Sequence, residues 1–462
     1  MDPWFSASGI AAAVAAGRTT AEAVVETVLE RIAARDPALN AFTAVTCERA
    51  SAKARALDKA HASGLTPGPL AGVPFAVKNL FDVAGLPTLA GSKINRDRPP
   101  ASVDATLIQR LEAAGAVLVG ALNMGEYAYD FTGENVHDAP SRNPHDTARM
   151  TGGSSGGSGA AVAGGLVPIA LGSDTNGSIR VPASFCGTFG LKPTYGRLSR
   201  ARTFPFVASL DHVGPLARST RDLTLAYDAM QGYDPEDPTC VDRPVQPVLP
   251  LLEQGISGLR LAVAGSPHFK RGATPAAMEA TDRVAKALSI TREVETPEDG
   301  RARAAAFIIT ASEGAALHLD RLRTRPRDFE PAIRDRLISG AMVPGSLVVK
   351  AQKFRRWYRD QVLKLFEGVD AIIAPATPFP APRIGQQTMM LEGAEVPLRP
   401  NIGVYTQPIS FIGLPVVAAP VPLQPLPIGV QIIAAPWRED VALRIAYALE
   451  LADVVAAPRP AE

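Results

Sequence analysis

Three residues stand out for the chemistry their types allow: Lys78, Ser154 and Ser178. Cleaving an amide needs a nucleophile, a proton acceptor and donors for the oxyanion. Ser178 follows Gly177 in GSDTNGSIR, and that glycine lets successive backbone N–H groups turn toward one point, which is how an oxyanion hole is built. Ser154 lies 24 residues earlier in a second glycine-rich turn, GGSSGGS. Lys78 follows an apolar run, PFAV, where burial disfavours the charged amine, and a neutral amine is a general base. The six histidines (His61, His137, His145, His212, His268 and His318) all fall outside the Gly/Ser-rich stretch, and no pair has H-x-x-x-H spacing. No G-x-S-x-G elbow surrounds Ser178. The pattern points to acyl transfer by serine and lysine, with no metal and no cofactor.

The elements that must position these residues alternate between strand and helix signals. Ser6 or Ser8 caps a short Ala-rich helix ended by Gly17, Thr20 caps a second over 21–36, and a third runs from Cys47 to Ser63. VPFAVKNLF then reads as a buried strand, ATLIQRLEAAG as a helix and AVLVG as a strand. The segment Ser155–Gly165 is almost entirely Gly, Ala and Ser, a helix lean enough to lie against a neighbouring backbone in the middle of the fold, with Val167–Leu171 as the next strand. The expected fold is α/β, a large central mixed sheet covered by helices on both faces. The chain reads as one domain over 1–462, with 1–65 a helical N-terminal cap and 280–365 a charged helical excursion, both closing the site. Pro-rich segments at Pro235–Pro250 and Pro378–Pro382 read as surface crossings.

Composition narrows the function classes. With 47 basic and 46 acidic residues the net charge is +1, which gives no reason to expect nucleic-acid or membrane-surface binding. Hydrophobic residues make up 46%, enough for a sizeable core and against disorder. No apolar run is a convincing membrane span, and the N-terminus has no basic region of the signal-peptide kind. Cys47, Cys186 and Cys240 are odd in number and widely spaced, which favours a reducing cytoplasm over a disulfide framework. The Gly/Ser run is flanked by apolar strands, unlike a linker, and no G-K-[ST] follows it, unlike a P-loop.

In the order and spacing of GGSSGGS, GSDTNGSIR and FCGTFGLKPT, the chain resembles the amidase signature family from about Phe5 to about Asp453. The resemblance implies Ser178 as nucleophile, Ser154 as a bridging serine after a cis peptide bond, and Lys78 as the base acting through Ser154. It implies the N–H groups of Thr175, Asn176, Gly177 and Ser178 as the oxyanion hole. One departure is Asn176, which stands where the family usually has glycine. Asn tolerates positive φ better than most residues, and its amide can donate or accept near the substrate. Together with LAGSKINR, SRNPHD, TASEG and VQIIAAPW, the TNGSIR variant resembles the subgroup that hydrolyses 1-carboxybiuret in cyanuric acid breakdown. That implies ammonia release from a urea-like amide and a small helical partner subunit, with room for a homo-oligomer of the heterodimer. The alternatives are the glutaminase subunit of a tRNA-dependent amidotransferase, another small-amide amidase, and an inactive binding subunit, which the intact Lys78, Ser154 and Ser178 argue against.

Other residues have plainer readings. Ser155 and Ser158 hold the loop, Ser173 packs, and Cys186 is a small apolar core residue. Asp174 and Arg180 read as a pair fixing the nucleophile turn, with contact between Arg180 and an anionic substrate group as the functional alternative. Tyr127, Thr132 and Asn135 match a segment that lines the active site in relatives. A carboxylated substrate needs an arginine, and the runs Arg321, Arg323, Arg325, Arg327 and Arg355, Arg356, Arg359 are rivals for that contact.

Overall fold

The computed structural model describes Asp2 and residues 4 to 461. Its centre is an 11-stranded sheet whose strands lie side by side in the order Phe42–Val45, Val117–Leu122, Pro74–Lys78, Ile169–Asp174, His212–Ala217, Phe189–Lys192, Val416–Val421, Ile428–Ala434, Ala371–Pro375, Leu261–Ala264, Glu293–Val294. Both faces are covered. Along Pro74–Lys78, Phe75 and Val77 join one apolar cluster while Ala76 joins another, as the two-residue period of a strand requires. The expected mixed α/β architecture is therefore the one found.

Strand Pro74–Lys78 runs parallel to both Val117–Leu122 and Ile169–Asp174, so Lys78 and Asp174 end neighbouring strands at the same edge of the sheet. Outside the carboxyl ends of parallel strands is where open α/β sheets bind ligands. The lean helix is real: Gly156–Ala163 has all eight residues buried. A Cβ at Gly157 would lie 2.5 Å from the Ala41 carbonyl oxygen and 2.6 Å from the Asn123 nitrogen, so glycine there sets how closely helix and backbone approach.

The first three helices are Ala7–Ala15, Ala21–Leu39 and Cys47–Ala62, and the Ser6 and Thr20 hydroxyls cap the first two by accepting from the N–H groups of Gly9 and Ala23. They do not close the site, however. Cys47–Ala62 packs on strand Val117–Leu122 and Ala7–Ala15 packs on helix Thr220–Met230. The charged excursion contains helices Asp299–Thr324, Pro331–Ala341 and Gly345–Leu365, and it does supply cleft residues. Pro378–Pro382 is not a surface crossing. Ala381 is buried and Phe379 half-buried, in an apolar cluster with Phe131, Phe185 and Leu398.

Candidate active site

Lys78 is fully buried, and its amine lies 2.7 Å from Ser154 Oγ, 2.9 Å from Ser173 Oγ and 3.1 Å from Ser155 Oγ. Burial pushes this amine down from 10.5 to about 7, against the opposing pull of Asp174, Asp211 and Asp130. Near neutral pH it therefore has a populated neutral form, with a lone pair that one neighbouring hydroxyl can fill. Ser155 already donates to the Ser173 carbonyl at 3.2 Å, which leaves Ser154 and Ser173. Ser154 is the nearer of the two. Ser155, read from sequence as holding the loop, and Ser173, read as packing, thus also complete the lysine's coordination. Ser158 makes a side-chain to backbone bond, donating to the Leu171 carbonyl, but it lies within helix Gly156–Ala163 and ties that helix to the strand instead of holding the loop.

The peptide bond before Ser154 is cis. The loop around it is pinned at several points: Gly153 donates to the Phe131 carbonyl, Gly152 to that of Thr132, and Gly125 to that of Ser154. Asp130 organises the facing loop by accepting from the N–H groups of Thr132 and Gly133.

Ser178 lies in the turn after strand Ile169–Asp174 and lines a small cleft with Asn176, Asp130, Phe131, Arg336 and Gln407, among others. Gly177 carries φ +143°, and a Cβ there would lie 2.2 Å from Thr406 Oγ1. The turn is fixed from outside. Thr175 donates to Asp211 at 2.6 Å, Thr406 donates to the Asn176 carbonyl at 2.7 Å, and Val181 donates to the Gly177 carbonyl at 2.7 Å. Among the described residues, the N–H groups of Asn176, Gly177 and Ser178 meet no protein acceptor, and no hydrogen bond joins the Ser154 and Ser178 hydroxyls. The structure thus contains the lysine–bridging serine contact and, in the adjoining cleft, a serine beside free backbone donors.

The other sequence candidates lie around this cleft, not in it. Arg180 is fully buried and pairs with Asp174 at 3.0 Å, while donating to Gln431 at 2.6 Å and to Ser410. This is the turn-fixing role, and Arg180 is not among the cleft residues. The Tyr127 ring packs on His318 at 4.0 Å and its hydroxyl donates to Asn95. Thr132 donates to Asp130, and Asn135 bridges the carbonyls of Gly91 and Met124. The segment does reach the site, but through Ala128, Tyr129, Asp130 and Phe131.

The rival arginines do not line this cleft either. Arg355, Arg356 and Arg359 border a separate, larger cleft with Trp437. Arg325 pairs with Asp97 and Asp328, and Arg327 is exposed. The cleft's arginine is Arg336, which the sequence reading missed. It is stacked 4.2 Å over the Tyr129 ring and donates to the carbonyls of Ala332 and Tyr129, leaving Nη1 without a protein partner among the described residues. It shares RDRLISG with Arg334 and lies outside the longer arginine runs at 321–327 and 355–359. Cys186 is buried in the core, and its thiol is pushed up by that burial. Among the described residues no group of three or more His, Cys, Asp or Glu side chains is placed to hold a metal ion.

A mixed sheet with a buried lysine–serine contact at its carboxyl edge and a serine turn beside it defines an amidase. The sequence profile of the Amidase family matches residues 23–443, and the chain belongs to the amidase signature family. It is 58% identical to AtzE, the 1-carboxybiuret hydrolase subunit of Pseudomonas sp. (strain ADP), over 95% of this chain and 96% of that one. It is 38% identical to a glutamyl-tRNA(Gln) amidotransferase subunit of Azotobacter vinelandii (strain DJ / ATCC BAA-1303), over 95% of each. A chain of a solved vestigial protein complex, one described as revealing the evolutionary origins of an s-triazine catabolic enzyme, superposes with TM-score 0.97 at 56% identity, covering 98% of this chain and all of that one. A bacterial aryl acylamidase superposes with TM-score 0.87 at 28% identity, covering 97% of this chain and 96% of that one.

Proposed function

We propose that the protein hydrolyses 1-carboxybiuret, releasing ammonia through an acyl-enzyme on Ser178. The observation that carries the chemistry is the 2.7 Å contact between Ser154 and a buried lysine whose amine is near neutrality. The neutral Lys78 takes the Ser154 proton as Ser154 takes that of Ser178, and Ser178 Oγ attacks the terminal carbonyl. The Ser178–Ser154 hydrogen bond of this relay closes when substrate is engaged, since catalytic hydrogen bonds are often long without it. The N–H groups of Thr175, Asn176, Gly177 and Ser178 hold the oxyanion. Collapse breaks the carbon–nitrogen bond, and the proton returns from Lys78 through Ser154 to the departing amine as ammonia. Water then repeats the sequence, leaving a carbamate and the free serine.

The substrate assignment is supported by the 58% identity to the protein that bears this activity in its name, and by the open Nη1 of Arg336 in the cleft, a suitable partner for the substrate carboxylate. The reading includes a small helical partner subunit. The solved neighbour at 56% identity is a protein complex, and the helical excursion here exposes the apolar side chains of Ile338, Met342, Val349 and Trp357, which a partner could cover. No helix among the described residues is long and apolar enough to cross a membrane, and the three cysteines are free, so a cytoplasmic setting belongs to the same reading. The test is ammonia release by the purified protein from 1-carboxybiuret and from glutamine. Faster release from carboxybiuret is expected, and a preference for glutamine would replace this function with that of the amidotransferase relatives.

A further inference from the structure

We propose that Asn176 and Gln407 form an acceptor–donor template that selects ureides, amides whose acyl side continues as N–H and C=O, over amides with a hydrocarbon acyl chain. The proposal rests on the reading of Ser178 as the nucleophile of a ureide amidase. Both side chains line the cleft that contains Ser178, at 7% and 1% exposure. Each is tied down at one end and open at the other. Asn176 Nδ2 donates to Thr310 Oγ1 at 2.9 Å, and its buried Oδ1 has no partner among the described residues. Gln407 Oε1 accepts from Arg303 Nε at 2.9 Å, and its buried Nε2 likewise has none.

Chemistry fixes the orientation at Gln407. A guanidinium only donates, so the amide oxygen must face Arg303 and the amide nitrogen must turn the other way. Arg303 is itself held by the Pro400 carbonyl and by Asn401. Buried polar groups are almost always paired, and two unpaired ones in the nucleophile's own cleft call for a ligand that completes them. The complement of one acceptor and one donor is a ligand N–H and a ligand C=O. Beyond its attacked carbonyl a ureide runs N–H, C=O, N–H and supplies both. Glutamine and simple aliphatic amides present methylenes there, leaving Asn176 Oδ1 and Gln407 Nε2 unsatisfied. A site built to hydrogen-bond a substrate group rejects analogues that lack it far more strongly than an apolar pocket rejects a misfit.

The test compares kcat/KM for a ureide (1-carboxybiuret) and for an aliphatic amide (butyramide) in the full-length protein with any co-purifying partner. The variants are Asn176→Ala, which removes the acceptor, and Gln407→Glu, which keeps an oxygen for Arg303 and turns a second acceptor toward the cleft. The ureide-to-aliphatic ratio is expected to fall about ten- to a hundred-fold in each variant. A ratio within about three-fold of wild type overturns the template. Should Gln407→Glu lack a cooperative melting transition, Gln407→Met is measured instead, with the same expectation and the same refuting result. Where aliphatic turnover is too slow to measure, the rate of Ser178 labelling by a fluorophosphonate serves as the denominator. A wild type that prefers the aliphatic amide overturns the proposed function and the template together. A ureide preference that the variants retain overturns the template alone.

Discussion

Replacing Lys78 by methionine separates the lysine's contribution to catalysis from its cost to stability. Methionine has a similar reach but no proton to move. The buried amine sits at about 7 against an ordinary 10.5. Between those two pH values the unfolded chain binds a proton that the folded chain lacks, so stability rises with pH across that window. Below pH 7 the penalty is fully present, at roughly 5 kcal/mol if the whole displacement counts. Raising the pH from 7 to 9 relieves about 2 kcal/mol of it. Urea titrations of wild type and Lys78→Met at pH 7, 8 and 9 should show the difference in unfolding free energy moving by that amount in favour of wild type, other titrating groups being common to both. In the same proteins, wild-type kcat/KM should climb through pH 7 and level off. The variant should lose the climb and at least about a hundred-fold in rate, the usual contribution of a general base. Stability differences that stay parallel within about 0.5 kcal/mol, or a wild-type limb centred above pH 9, would mean that the folded protein keeps this lysine charged and that the base assignment fails.

Ser178→Ala and Ser154→Ala should each cut kcat by at least about a thousand-fold, and mass spectrometry after fluorophosphonate treatment should find an adduct on the Ser154 variant but none on the Ser178 variant. Arg180→Met strands the Asp174 carboxylate in the interior and should destabilise the fold by about 3–5 kcal/mol in urea titrations; wild-type stability would show the pair to be dispensable. Arg336→Gln should raise KM about ten-fold or more for 1-carboxybiuret while changing that for uncarboxylated biuret much less, and equal effects on both would remove Arg336 from carboxylate recognition.

The parts of the fold legible in the sequence are those whose signal is local. Thr20 caps a helix because its hydroxyl reaches the Ala23 N–H three residues on, a relation the sequence displays directly. Helix Gly156–Ala163 was foreseeable because only side chains this small permit its approach to the Asn123 backbone. Strand Phe42–Val45 gave no such sign. It is four residues long and owes its conformation to antiparallel pairing with Val117–Leu122. The cleft shows the same division. Lys78, Ser154 and Ser178 sit in motifs, whereas Arg336 and Gln407 come from two distant helices whose orientation only tertiary packing decides. Tyr127, Thr132 and Asn135 lie on the right loop but on its supporting side, since Tyr127 and Ala128 both adopt positive φ and the loop turns there.

What keeps Lys78 usable as a base is how its neighbouring carboxylates are occupied. Asp174, Asp211 and Asp130 each pull the amine toward its charged form, and any of them bonded to Nζ would fix the proton there. None is bonded to it. Asp174 accepts from both Nε and Nη2 of Arg180, and that guanidinium holds its carboxyl well below the usual carboxylate range. Asp211 accepts from Thr175 and from the N–H groups of Phe206 and Val207. Asp130 is taken up by Thr132, Gly133 and Arg399. Lys78 is left with three neutral hydroxyls, which solvate an amine without pinning its charge. Each carboxylate around the site thus has donors of its own, and the lysine, bonded to none of them, is left able to exchange a proton with Ser154.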